Sequence, residues 1–190
     1  LLLMGALALG TWWLVRLTPT ATPTAQATTQ RTEPDYLLTG FSVKSFDAAG
    51  NLMNEVWGSK ARHYPHTDVL EIDDAKFRSN KGTRPTVGQS KRAYSNADGS
   101  EVQLVGDAVV VREASRDPQG RELPKIEVRG EFLHAFIDTE IVKSHLPVTV
   151  WRGADQFQGD AMVYNNIEGS VTLDGRVRVQ MQSKPAPAAR

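Results

Sequence analysis

The amino-acid sequence predicts an all-β domain, and three features of the chain lead to this prediction. Apolar residues occupy alternate positions in many short segments, as expected of strands with one dry and one wet face. Gly, Asn, Asp and Pro separate these segments at intervals typical of antiparallel sheets. The 15 glycines accompany few stretches with helical periodicity. A sandwich, a barrel or a jelly roll is therefore favoured over alternating strands and helices.

The strand segments follow one another along the chain. They are residues 41–46, 52–64, 69–77, 89–94, 101–113 and 126–137. The first two flank residues 47–51, whose Asp, Gly and Asn are a hairpin signal. Residues 88–93 and 139–145 are ambiguous, and each could form a single helical turn. Three further strands are expected in residues 148–181, broken at Gly153 and at Asn165-Asn166.

The end of the last segment has two clearly different faces. Its dry face is formed by Val171, Leu173, Val177, Val179 and Met181, with Gly175 among them. Arg176 and Arg178 lie on the wet face. No obvious helical segment follows that could cover the dry face, so the sequence leaves open what this face contacts.

A loose pattern of an apolar residue, any residue, Gly and a further apolar run recurs five times. Its glycines are Gly40, Gly106, Gly130, Gly159 and Gly175. Glycine inside a strand marks a bulge or a sharp bend. We therefore expect a strongly curved antiparallel sheet that bends at each glycine, although the spacing is too irregular for a strict solenoid.

The N-terminal end predicts a membrane anchor over residues 1–17. Residues 1–15 are uncharged, and Trp12 and Trp13 before Arg16 suit a membrane interface. Fifteen helical residues span about 23 Å, short of the ~30 Å hydrocarbon core, so we expect preceding residues to complete the span. The alternative is a cleaved signal peptide ending near Ala25-Gln26-Ala27. Its distance from the apolar run and the charge of Arg16 disfavour cleavage.

The remaining organisation follows from composition. Residues 18–34 are rich in Thr, Pro and Ala and predict an extended linker. Residues 35–182 form the predicted β-domain, and residues 183–190 a disordered tail. The 22 basic and 22 acidic side chains leave no net charge, which argues against nucleic-acid binding. The absence of cysteine excludes disulfides, thiol catalysis and Cys-ligated zinc.

Catalytic motifs are absent from the sequence, so we predict neither an enzyme nor a cofactor. His63 and His66 stand three residues apart beside Asp68 and could bind a metal. A solvated turn is the favoured reading of these residues, and we predict no metal site.

Several short motifs, in this order, resemble the LptC family of lipopolysaccharide export proteins of Gram-negative inner membranes. They are Pro34-Asp35-Tyr36, Phe46-Asp-Ala-Ala-Gly50-Asn51, Ser59-Lys-Ala61 with Tyr64, Leu104-Val-Gly106-Asp-Ala-Val, Pro147-Val with Val150, and Phe157-Gln-Gly159-Asp-Ala-Met162. The resemblance covers residues 1–181, anchor included.

The resemblance implies a twisted antiparallel β-jelly roll of the OstA-like type, standing in the periplasm on a single-pass inner-membrane helix. Such a domain would hold lipopolysaccharide acyl chains in its interior. It would receive lipopolysaccharide from an ABC transporter (LptB, LptF and LptG) and pass it to the soluble bridge protein LptA. An open sheet edge suits docking by strand addition.

On this reading seventeen apolar residues are expected to line the lipid-binding interior: Phe41, Val43, Leu70, Ile72, Leu104, Ala108, Val110, Ile126, Val128, Phe132, Val148, Val150, Phe157, Val171, Leu173, Val177 and Val179. Gly159 and Met162 match the family's C-terminal element and are expected near the edge that binds the bridge protein. Arg176 and Arg178 could meet lipid phosphates or simply face solvent. The alternatives are a structural adaptor with a closed core, or an anchored envelope hydrolase.

Overall fold

The computed structural model describes residues 32–80, 84–117 and 119–182, and within these ranges the chain forms β-strands and no helix. The strands are β1 Tyr36–Phe46, β2 Leu52–Tyr64, β3 Val69–Ser79, β4 Thr86–Asn96, β5 Glu101–Arg112, β6 Ser115–Arg116, β7 Glu122–Leu123, β8 Ile126–Phe136, β9 Ile141–Ser144, β10 Val148–Arg152, β11 Asp155–Gly159, β12 Ala161–Asn165, β13 Ser170–Asp174 and β14 Arg178–Gln180. The all-β prediction is confirmed, and both ambiguous patches contain strands (β4 and β9).

Twelve of these strands form one antiparallel sheet that branches at β8. The main path runs β1-β2-β3-β4-β5-β8-β10-β11-β14. Residues 126–130 of β8 pair with β10, whereas residues 134–136 pair with β9. β9 continues the branch through β12 to β13. The short strands β6 and β7 pair only with each other.

A line of bends crosses the sheet and divides it into two walls. In β5 the register shifts between Val105 and Ala108, where Gly106 and Asp107 both have positive φ angles of 79° and 48°. Gly40 has a φ of 55° in β1, and Asp74 a φ of 50° in β3. Bulges with positive φ bend a strand sharply. Each long strand therefore contributes one half to each wall.

The two walls are defined by their strand segments. The first wall comprises residues 36–39, 60–64, 69–73, 92–96, 101–105 and 132–136, with β9, β12 and β13. The second wall comprises residues 41–46, 52–57, 75–79, 86–89, 108–112 and 126–130, with β10, β11 and β14.

All five glycines of the recurring pattern lie on this line of bends, as expected from the sequence. Gly130 lies where β8 changes partner, Gly159 is the last residue of β11, and Gly175 directly follows β13. The expectation of three strands in residues 148–181 is wrong, because the bends at Gly159 and Gly175 divide the segment into five.

The core lies between the walls. In the first wall one inward-facing row crosses the sheet in register: Ala61, Ile72, Ala93, Leu104 and Leu133. Every residue of this row is at most 4% exposed. Ala108, Val128, Val148 and Val150 are the buried residues of the second wall's centre.

The predicted anchor, residues 1–17, lies outside the described residues. So do residues 18–31 of the predicted linker and the predicted tail. In the ranges that the structure describes, no helix is long and apolar enough to cross a membrane.

Candidate functional site

A cavity of about 140 Å³ lies between the two walls and opens to solvent. Phe77, Val110 and Ile126 line it from the second wall, and Val142 and Tyr164 from the first. Its polar lining residues are Ser79, Thr86, Arg112, Glu140 and Asn166. The site therefore combines an apolar interior with polar and charged residues.

One continuous inward-facing row extends the apolar surface across the whole second wall. Its members pair in register from one edge to the other: Val43, Val56, Phe77, Gly88, Val110, Val128, Val150, Phe157 and Val179. Val128 and Val150 at its centre are buried, whereas Val43 and Val179 at its ends are 55% and 50% exposed. The interior is therefore an apolar trough that is covered at its centre and open at both ends.

Gly88 gives this row the space for its largest side chain. A Cβ atom on Gly88 would stand 2.1 Å from the Phe77 ring, far inside van der Waals contact. The ring therefore lies directly over the β4 backbone. Glycine is required here for close approach rather than for backbone freedom.

Each end of the trough is an unpaired strand edge in the part of the chain that the structure describes. β1 forms one edge along both walls, and β13 and β14 form the other. Exposed apolar residues concentrate at these ends: Tyr36, Leu37, Leu38, Val43 and Phe46 on β1, and Val171, Val177, Val179 and Met181 at the opposite end. Open edges of this kind are templates for pairing with another chain.

Most of the residues expected inside lie there. Twelve belong to the core or pack against it: Phe41, Leu70, Ile72, Leu104, Ala108, Val110, Ile126, Val128, Val148, Val150, Phe157 and Leu173. Val43, Val171 and Val179 lie in inward-facing rows at the open ends. Val177 lies in the bend between β13 and β14 and is 46% exposed.

The expectation that Phe132 lines the interior is wrong, because Phe132 lies on the outer face of the first wall. It pairs with Val105, and its ring packs against His145 with centroids 4.5 Å apart. The neighbouring Leu133 is fully buried instead. The bend after Gly130 reverses which alternate positions of β8 face inward, so a period counted from Ile126 fails beyond the bend.

Gly159 and Met162 lie near an edge of the sheet but not on it, and their contact with the bridge protein stays a prediction. β11 is flanked by β10 and β14, and β12 by β9 and β13. Met162 is 1% exposed, and a Cβ on Gly159 would stand 3.1 Å from that of Leu173. Both residues belong to the core, one strand in from the edge.

His63 is held between two carboxylates. Its Nδ1 lies 2.8 Å from Asp35 Oδ1, and its Nε2 lies 3.0 Å from Asp68 Oδ1. Hydrogen bonds to Asp35 and then to Asp68 raise the pKa of His63. Tyr36 stacks on the imidazole with ring centroids 4.8 Å apart. Among the described residues no group of three or more His, Asp or Glu side chains could hold a metal, and this cluster ties β1 to β2.

Several lining residues of the cavity have no sequence pattern that marks them as part of a site. Val142 and Tyr164 pair with each other across β9 and β12, but Val142 lies in a patch whose periodicity was ambiguous. Arg112 ends β5 and reads in the sequence as an ordinary terminal charge. These residues come together only when the two walls face each other in the folded chain.

A known structure shares this fold. The chain is similar to LptH from Pseudomonas aeruginosa, described as the LptA homologous periplasmic component of the conserved lipopolysaccharide transport device. The TM-score is 0.51 at 14% sequence identity, over 81% of this chain and 99% of that one. No curated protein sequence matches.

The family comparison covers nearly the whole chain. The family model described as "Lipopolysaccharide-assembly, LptC-related" matches residues 1–182, which include every described strand. The resemblance seen in the short motifs is thereby confirmed, and the chain belongs to the LptC-related family of lipopolysaccharide assembly.

Proposed function

We propose that this chain holds the acyl chains of lipopolysaccharide between its two walls. It receives lipopolysaccharide from an inner-membrane ABC transporter and passes it to a soluble periplasmic bridge protein. The observation that supports this most is the continuous apolar row of the second wall, open at both ends. Burial of each acyl methylene contributes about 0.8 kcal/mol, so an apolar trough can bind several chains without a specific polar site.

The open ends support a bridging role. Each end exposes both an unpaired strand and the last residues of the inward-facing rows, such as Val43 and Val179. A neighbouring jelly roll that adds a strand there would extend the sheet and continue the apolar row. The transporter would occupy one end and the bridge protein the other. The N-terminal anchor would keep the β-domain in the periplasm, attached to the inner membrane.

The proposal requires no catalysis by this chain. Family membership and the shared fold support a transport component rather than an enzyme. The alternative is an adaptor that joins the same partners while its core stays closed. It differs from the main proposal only in whether lipid enters between the walls.

Adjacent valines on β5 allow a matched test. Val110 lines the cavity, whereas Val111 alternates with it and faces the outside of the second wall. A photoreactive amino acid would replace each in the full chain in Gram-negative cells, and adducts would be detected with antibody to lipopolysaccharide. We expect an adduct at position 110 and little at position 111. Absence of an adduct at position 110, or equal adducts at both positions, would contradict lipid binding between the walls and would favour the adaptor with a closed core.

A further inference from the structure

We propose that Arg84 and Arg112 form an anion site at the mouth of the trough, which binds a phosphate group of the amphiphile whose acyl chains lie in the cavity. This site rests on the proposed function and specifies how the head of the lipid is recognised. It differs from Arg176 and Arg178, which lie beside β11 near the C-terminal bend.

The first observation is the position of Arg84. Its Nη1 donates a hydrogen bond to the carbonyl oxygen of Pro124 at 3.2 Å. Arg84 lies just before β4, and Pro124 lies just before β8. Because β5 lies between β4 and β8 in the sheet, the Arg84 side chain crosses the end of β5, where Arg112 is the last residue.

The second observation is that Arg112 belongs to the cavity itself. It pairs with Thr86 on one side and Ile126 on the other, and all three line the cavity. Val110, two residues earlier on the same face, is a deeper apolar lining residue. A ligand that fills the cavity with an acyl chain therefore places its polar end beside Arg112.

The third observation is that the two guanidinium groups lack an acidic partner. In the ranges 32–80, 84–117 and 119–182, neither Arg84 nor Arg112 forms an ion pair, whereas Arg62, the other half-buried arginine of these ranges, pairs with Asp73 at 2.6 Å. The acidic residue of the cavity, Glu140, accepts a hydrogen bond from Asn166. Burial and then the charge of Arg112 lower the pKa of Arg84, as expected of a desolvated cation beside a like charge.

A phosphate group would relieve this repulsion. Guanidinium groups bind phosphate through paired, charge-assisted hydrogen bonds, which are stronger than hydrogen bonds between neutral groups. Two adjacent guanidinium groups present more donors than one phosphate needs. Like charges near each other are unfavourable in the free protein, and proteins accept such local costs mainly at functional sites.

The test uses the full chain with the photoreactive amino acid at position 110. The probes are lipid A, the phosphorylated and acylated glucosamine disaccharide of lipopolysaccharide, and the same lipid A after enzymatic dephosphorylation. The variants are Arg84→Gln/Arg112→Gln and Arg84→Lys/Arg112→Lys. The control is Arg92→Gln, since Arg92 is an exposed arginine on the outer face of β4.

We expect the half-saturating lipid A concentration to rise about tenfold or more in the double Gln variant, from the loss of at least one charge-assisted bond. The double Lys variant should recover part of the loss, and Arg92→Gln should behave as the parent chain. Dephosphorylated lipid A should label the parent and the double Gln variant equally and weakly. Unchanged thermal unfolding of the double Gln variant would show that the fold is intact.

Three outcomes would overturn the proposal. One is equal labelling of the parent chain by lipid A and dephosphorylated lipid A. A second is a double Gln variant that binds lipid A like the parent. A third is competition by inorganic phosphate at concentrations similar to lipid A, which would make the pair a site for the free ion. Failure of the proposed function looks different, because then no lipid labels position 110 in any variant.

Discussion

Arg176 is bound by Asp160 across the last bend of the sheet. Its Nε and Nη2 donate to Oδ2 and Oδ1 of Asp160 at 3.1 and 3.2 Å, and its backbone N–H donates to Oδ2 at 3.0 Å. These bonds lower the pKa of Asp160. Asp160 lies between β11 and β12, and Arg176 between β13 and β14. The pair therefore joins the bends of two neighbouring strand pairs, and the Arg176 guanidinium already has an acidic partner.

Asp160→Ala should loosen the last strand. Loss of the Asp160 carboxylate leaves the backbone N–H of Arg176 without its acceptor. Amide hydrogen exchange should therefore become faster at Arg176 and along β14. The matched control is Asp174→Ala, because Asp174 is an exposed neighbour of Gly175 and its carboxylate forms no hydrogen bond in the described residues. Equal exchange in the two variants would contradict a role for the Asp160–Arg176 pair.

Gly88→Ala should destabilise the fold through Phe77. The added methyl would stand 2.1 Å from the ring, and overpacking of this kind costs about 1–3 kcal/mol. Urea unfolding measures the loss. Combining Gly88→Ala with Phe77→Leu should cost less than the sum of the single changes, since the smaller side chain leaves room for the methyl. Additive costs would show that the ring is not the obstacle.

The junction of β1 with β2 should depend on pH through His63. The pKa of His63 is raised above its ordinary 6.5, so its contribution to stability is fully present below 6.5 and is lost as pH rises through the folded value. The pKa of Asp35 is lowered below 3.8. Its contribution is present above 3.8 and is lost as pH falls through the folded value. The junction is therefore most stable between pH 3.8 and pH 6.5, the ordinary pKa values of the two groups.

Amide exchange of residues 36–39 measures this dependence after correction for intrinsic rates. Between about pH 6 and about pH 8, protection of these amides should fall in the parent chain. His63→Gln should remove the pH dependence, and His66→Gln should keep it, because His66 contacts neither carboxylate. A pH-independent parent chain would refute the assignment to His63.

The C-terminal end of the trough offers a test of docking. Val171 faces inward in β13 and is 41% exposed, whereas the adjacent exposed Thr172 faces outward. Val171→Glu places a charge where a partner's apolar row would continue, so capture of a purified soluble bridge protein should fall. Thr172→Glu should leave capture unchanged. Equal capture by both variants would argue that this end does not receive that partner through its apolar row.

The recurring glycines allowed the bends to be predicted because a sharp bend requires a residue without a Cβ or one that tolerates positive φ. Bends without that pattern could not be predicted. Asp74 bends β3 with a φ of 50°, and β4 shifts register at Ser90 and Lys91 in a patch whose period looked ambiguous. Aspartate, serine and lysine are too common in turns and strands to mark such positions.

The inner face was predictable only between bends. Val128 and Val150 follow simple alternation, and both are buried. Simple alternation from Ile126 predicts that Phe132 faces inward, but the bend after Gly130 shifts the inward positions to Leu133. Arg84 and Arg112 could not be assigned from the sequence at all, since their proximity depends on the pairing of β4, β5 and β8.

The separation of the two walls tests the central claim most directly. The cavity of about 140 Å³ holds roughly one benzene-sized group, so several acyl chains fit only if the walls move apart. Spin labels at Thr86 and Ile137 would report the distance between the walls. Both residues line the cavity: Thr86 lies in the second wall, and Ile137 directly follows the first-wall half of β8. A control pair at Thr86 and Glu127 lies within the second wall. We expect saturating lipid A to lengthen the first distance and to leave the second unchanged. A first distance that does not change would contradict lipid binding between the walls.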